Sequence, residues 1–175
     1  SGALVRRGAR RVTDDGVLGR RYAIAEERLA AAGYAPYELS NWARTPAGIC
    51  RHNVGYWRGA SWWGVGPGAH SHVGGVRWWN VLRPEAWMAR LEDGRSPAAG
   101  REVLDPEQRR LERLMTGVRL PDGVPADELA AAGHREAAAL VDGGLLDAAA
   151  WRAGRVALTP TARPLADGVL RRIAA

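Results

Sequence analysis

Apolar positions along the chain fall into two regimes. From residue 15 to about 32, Leu18, Tyr22, Ala25 and Leu29 recur at intervals of three and four, which predicts an amphipathic helix. Asp14 or Asp15 can cap its start, and Gly33 fits the position just past its end. "YAPYELSN" follows at once and reads as a strand, despite Pro36 near its start. After the loop "WARTPAG", "RHNVGYWRG" reads as a short helical turn and "SWWGVG" as a second, buried strand. "PGAHSHVGG" reads as a loop and "VRWWNVL" as a third strand. "PEAWMARLEDG" opens with Pro in a first helical turn and closes on Gly, a helix with a clear start and stop. Helix, glycine and strand in succession is α/β grammar.

Near residue 96 the pattern changes. "SPAAGRE" has the composition of a linker. Beyond it, "DPEQRRLERLMTGV", "PADELAAAG" and "HREAAALVDGG" read as three helical segments with caps or glycine stops. "LLDAAAWRAGRVALT" reads as a hairpin with "AWRAG" at the turn. Thr159 and Thr161 can each cap a final helix, with Pro164 in its first turns. Three helices, a two-stranded wing and a closing helix make a winged-helix pattern. If such a module bound DNA, "HREAAALVDGG" would be the recognition helix. It offers His134, Arg135 and Glu136 and then alanines, which are poor readers of base edges.

Composition narrows the classes. At 175 residues the chain suffices for one ordinary domain or two small ones, and 46% hydrophobic residues can supply a packed core. No apolar run approaches the length of a membrane span and no secretory signal opens the sequence, so a soluble cytoplasmic protein is the default expectation. One cysteine excludes an internal disulfide framework. The net charge of +6 invites a nucleic-acid reading. Yet every cation is Arg, and the arginines are interleaved with acids, which fits a solvated mixed-charge surface better. Ser1 begins in mid-pattern, so the chain is expected to lack an N-terminal part.

Chemistry concentrates between Cys50 and Gly75, which hold the lone cysteine and three of the four histidines. His52, with Asn53 beside it, is a candidate metal or haem-iron ligand, since imidazole is the commonest protein ligand for haem iron. Tyr56 and Trp57 lie on neighbouring surfaces of the same turn, where a flat ligand could stack. The competing reading is that His52 caps the turn and bonds a backbone carbonyl. There is no second His at i+4, and the lone Cys50 beside His52 falls short of a four-ligand zinc set. In "GVGPGAHS", Gly64, Gly66 and Gly68 permit positive φ and close approach. Their amides could receive an anion or an adenine edge, or the run could serve a plain tight turn. His70 and His72 could face a ligand or bond within the loop. Arg51, Arg58 and Arg77 could fork onto carboxylates, or form structural ion pairs with acids such as Glu38 or Asp93. The tryptophan doublets 62–63 and 78–79 place one ring on each face of a strand, one of each pair being core.

Taken together, "YELSNWAR", "CRHNVGYWRG", "WWGVGPGAHSHVGGVRWWN", "LERLMTGVRL" and "GLL…RVALTPTARPLAD" resemble, in that order and spacing, a known family. They look like the C-terminal half of radical-SAM proteins related to oxygen-independent coproporphyrinogen III oxidase. The branch with an HN-x-x-YW motif comprises haem chaperones. The resemblance implies an α/β fold: residues 1–98 as the last part of a partial TIM-like barrel, and residues 99–175 as a small helical, winged-helix-like domain. It implies haem at His52, Asn53, Tyr56 and Trp57, with His52 the iron-ligand candidate and arginines meeting the propionates. It implies S-adenosylmethionine near Gly64, Gly66, Gly68 and Ala69. It implies a 4Fe-4S cluster in the full-length protein, on a C-x-x-x-C-x-x-C loop that this sequence does not contain. The implied partners are a haem-recipient protein and the other half of the barrel. The alternatives are an oxygen-independent coproporphyrinogen III oxidase, and a winged-helix DNA- or protein-binding module. "TARPLAD" departs from the family by placing Pro164 in the last helix.

Overall fold

The computed structural model describes residues 15–174 and divides the chain into two compact units, one ending at Ile49 and the other starting at Cys50. In the first unit, helix α1 (Asp15–Ala31) leads to strands β1 (Ala35–Pro36) and β2 (Trp42–Ala43). Residue 14, and with it one proposed cap, lies outside the described residues. Gly33 takes φ +79°, its N–H bonds Ala30 O, and the Tyr34 N–H reaches back to Leu29 O. That is the Schellman closure expected of a glycine past the helix end. "YELSN" is a tight turn between two-residue strands, not a strand. The buried Glu38 carboxylate accepts from the Ser40 N–H at 2.9 Å and from the Asn41 amide, so the side chain replaces ladder bonds.

In the second unit, α2 (Arg51–Trp57) forms where the helical turn was expected. A three-stranded antiparallel meander follows: β3 (His70–Val73), β4 (Val76–Asn80) and β5 (Ala98–Val103), with α3 (Pro84–Glu92) between the last two. Three expectations fail here. The supposed loop before Val76 is a strand, closed by Gly74 and Gly75, both at positive φ, as a two-residue hairpin demands. The supposed buried strand "SWWGVG" is mostly irregular: only Trp62 pairs, exchanging two backbone hydrogen bonds with His72, while Trp63 and Val65 are exposed. The supposed linker is β5. Its small residues accommodate large partners: a Cβ on Gly100 would sit 2.6 Å from the Trp79 indole.

The remaining elements surround one hydrophobic core. They are α4 (Pro106–Gly117), β6 (Val124–Pro125), α5 (Ala131–Asp142), α6 (Ala148–Arg152), β7 (Arg155–Val156) and α7 (Ala166–Ile173). Leu114, Val118, Leu140, Leu146, Val156, Val169 and Ile173 are nearly or wholly buried there. In α7, Ala166, Val169, Leu170 and Ile173 form one buried stripe at helical spacing. Helix α4 begins with a reciprocal cap: Asp105 accepts from the Gln108 N–H at 2.8 Å and Gln108 accepts from the Asp105 N–H at 2.9 Å. Two of the three expected helices differ. "PADELAAAG" is a short strand, a 3-10 turn and the start of α5. Gly133 does not stop the helix but lies inside it, because α5 packs there against the carbonyl of Ile173. The expected hairpin keeps only its paired ends, an antiparallel bridge between Leu146 and Leu158; between them lie helix α6, capped by Asp147, and β7, which pairs antiparallel with β6. Pro164 falls in a 3-10 segment (Pro160–Leu165), and α7 starts only after it. Among the described residues no helix is long and apolar enough to cross a membrane.

Candidate functional site

Helix α2 places His52 and Tyr56 one turn apart, so their rings meet edge to face at 4.8 Å between centroids. Tyr56 meets Trp62 the same way at 4.9 Å. The single Trp62–His72 bridge then brings those two rings to 5.0 Å. The result is a continuous row, His52–Tyr56–Trp62–His72, of which the sequence reading identified only the first two members as a site. Strand parity could have added His72, which shares a sheet face with Arg77, its partner across β4.

The two ends of the row differ. His52 is exposed and borders a hollow of about 210 Å³ with Arg51, Tyr56, Ser61 and Trp62. His72 borders a cavity of about 460 Å³ that Tyr56 and Trp62 also line, and its Nε2 is buried without a hydrogen-bond partner. The far wall of that cavity is α4, which contributes Arg109, Glu112, Arg113, Met115 and Thr116. All but Arg109 fall in "LERLMTGVRL", which carried the resemblance without being read as a site; they reach it through packing of α2 against α4.

The arginines have unequal freedom. Arg77 pairs with Glu102 at 2.7 Å and also with Glu112, so its partners are these and not Glu38 or Asp93. Arg58 pairs with Asp122 at 3.3 Å, both side chains well exposed. Arg113 pairs with Glu128 at 2.8 Å, and that hydrogen bond holds its guanidinium above the ordinary value. Arg51 is exposed beside His52. Arg109 donates its Nε–H to Leu104 O at 3.0 Å and forms no ion pair among the described residues.

Trp57 turns away from the ring row. Its indole N–H is buried, and Arg119 lies over its ring at 5.6 Å, so Trp57 anchors α2. Asn53, half-buried, lines neither hollow. The glycine loop also stands apart from both. The Gly64 N–H donates to the buried Ser71 Oγ at 2.9 Å, the Gly68 N–H to Val81 O, and the Ala69 N–H to Gly66 O. Gly66 O in turn accepts from the Asn80 amide at 2.9 Å. A Cβ at Gly64 would fall 2.1 Å from His70 O, so close approach explains that glycine. The amides of Gly64, Gly68 and Ala69 are therefore engaged by the chain's own acceptors. On α5, the His134 ring meets Trp151 at a tilt, 5.6 Å between centroids, and Arg172 pairs with Glu136, which ties the would-be recognition residues to the protein itself.

No protein-family model matches the chain. Individual proteins do. The chain is 46% identical over 167 residues to the heme chaperone HemW of Mycobacterium tuberculosis, a match covering 95% of this chain and 42% of that protein. It is 35% identical to the heme chaperone HemW of Synechocystis over 69% of its length and 29% of the relative. It is 34% identical to the radical S-adenosyl methionine domain-containing protein 1, mitochondrial, of Danio rerio, again over 69% of its length and 29% of the relative. The chain thus spans about two fifths or less of these relatives. Its fold is similar to the coproporphyrinogen III oxidase HemN of Escherichia coli, described as a radical SAM enzyme: TM-score 0.66 over 87% of this chain and 40% of that one, at 14% identity. Motif order, fold and sequence identity agree: the chain belongs to the HemW/HemN-like family and corresponds to a C-terminal portion of its members.

Proposed function

We propose that the intact protein is a haem chaperone, and that this chain supplies its haem-binding imidazole. The observation that supports this best is the ring row ending in an exposed His52. The donor set fits the group: an accessible imidazole backed by the Tyr56 ring, with Arg51, in no ion pair among the described residues, beside it. Haem would be held through its iron by an imidazole. His52 would be that ligand. Tyr56 fixes the orientation of the ring, and Trp57 holds α2 in place from behind. Arg51 and Arg58 would meet the propionates; Arg77, held by two carboxylates, is poorly placed to add a third.

The wider reading has residues 1–98 as part of a radical-SAM barrel and 99–175 as a winged-helix-like closing domain. In the full-length protein, S-adenosylmethionine would lie near the Gly64–Ala69 loop and a 4Fe-4S cluster on cysteines outside this sequence. Haem would pass to a recipient protein in the cytoplasm. The test uses the complete polypeptide. His52→Ala should weaken haem retention at least about tenfold and abolish the imidazole-dependent shift of the Soret band. Unchanged absorbance and retention would refute the assignment. Turnover of coproporphyrinogen in the presence of S-adenosylmethionine would replace the chaperone reading with the oxidase one.

A further inference from the structure

His52 lacks the usual means of aiming a ligating imidazole. Such a ring is normally held by a hydrogen bond from its second nitrogen to a carboxylate, a carbonyl or water. Among the described residues the His52 side chain forms no hydrogen bond and no ion pair, and the ring in contact with it is Tyr56, at 4.8 Å between centroids. Tyr56 is 39% exposed and stands on a seven-residue helix, so its ring needs a support of its own.

Trp62 has the geometry of that support. Its N–H donates to His72 O at 2.8 Å, and its carbonyl accepts from the His72 N–H at 3.0 Å. Two residues on, the Gly64 N–H donates to the buried Ser71 Oγ at 2.9 Å. Three hydrogen bonds thus clamp an otherwise irregular segment to β3. Successive residues of an extended segment face opposite ways, so the tryptophan doublet divides its rings. Trp63, 70% exposed, meets Trp78 at 4.8 Å. Trp62, half-buried, meets Tyr56 edge to face at 4.9 Å and rests at a tilt against the His72 ring at 5.0 Å.

We propose that Trp62 is a positioning residue of the haem site: mounted on β3, it sets the Tyr56 ring, which sets the plane of the His52 imidazole. The inference rests on haem ligation by His52 and adds to it a residue outside the HN-x-x-YW motif.

The test uses the complete polypeptide and has one arm without haem. In the haem-free protein, Trp62→Ala should move the His52 ring-proton resonances toward free-histidine values, because the imidazole loses its fixed place beside Tyr56. Trp62→Phe should restore them in large part, and Trp63→Ala should leave them unmoved. In haem titrations, Trp62→Ala should keep the imidazole-dependent Soret shift yet weaken retention about two- to twelvefold, the worth of one edge-to-face ring pair. On a Tyr56→Leu background the same substitution should add no further loss, since the intermediary is gone. Ring protons unmoved by Trp62→Ala overturn the proposal, whether or not the melting temperature falls. So does a full additional loss on the Tyr56→Leu background. Failure of the haem reading looks different: a Soret shift that survives His52→Ala removes that reading, and this inference with it, even where the ring protons still answer to Trp62.

Discussion

Replacing Gly133 with alanine puts a methyl group 2.3 Å from the carbonyl oxygen of Ile173, where α5 and α7 touch. The obstacle is backbone, so no rotamer change relieves it. One helix must retreat by about 1 Å, and overpacking of this kind costs about 1–3 kcal/mol. The upper end applies, because Gly133 and Ile173 are buried and α7 carries a fully packed stripe beside them. Against this stands the helix preference for alanine over glycine, about 1 kcal/mol. The net expectation is a loss of about 2 kcal/mol, or about 4–8 °C in melting temperature for a chain of this size. Gly168→Ala is the internal control. It lies in α7, and its nearest neighbour is the Arg171 Nη2 at 3.9 Å, so the propensity gain should appear alone and raise the melting temperature by about 2–4 °C. Thermal unfolding followed by circular dichroism measures both. If Gly133→Ala melts at or above the unsubstituted protein while Gly168→Ala gains as expected, the close-approach reasoning fails.

Two further outcomes follow from α4. Asp105→Ala removes half of the reciprocal cap and should cost about 1 kcal/mol in urea unfolding, while Asp105→Asn should retain most of it; equal losses would deny the cap. The hydrogen bond from Arg110 holds the exposed Glu107 carboxyl below its ordinary value. Its small contribution is therefore fully present above the unfolded-state value and disappears as pH falls through the folded one. Arg110→Gln should raise the Glu107 midpoint in a carbon-13 shift titration, and an unmoved midpoint would deny the link.

Signals that act locally were legible in the sequence. "DPEQ" announces its cap, Gly33 its helix end, and "RHNVGYW" its turn of helix, because each depends on residues within four positions. Signals that depend on a distant neighbour misled. Gly133 looks like a helix stop until Ile173 is beside it. "SPAAGRE" looks like a linker until the Trp79 indole needs Gly100. "GG" after "HSHV" was a readable hairpin signal that the weak strand character of histidine and serine obscured. For the site, helix spacing placed His52 beside Tyr56. The Trp62–His72 contact needed a one-residue bridge, and the Arg109 wall needed α4 folded back, neither of which any periodicity announces.

Tyr56 and Trp62 belong to both hollows at once. A ligand that fixes the Tyr56 ring from the His52 side reshapes the boundary of the Arg109 side without touching it. Linkage then makes the effect mutual: whatever factor one occupant imposes on the other's affinity, it receives in return. If both hollows take ligands, a partition made of these two rings would make each chamber a sensor of whether the other is full.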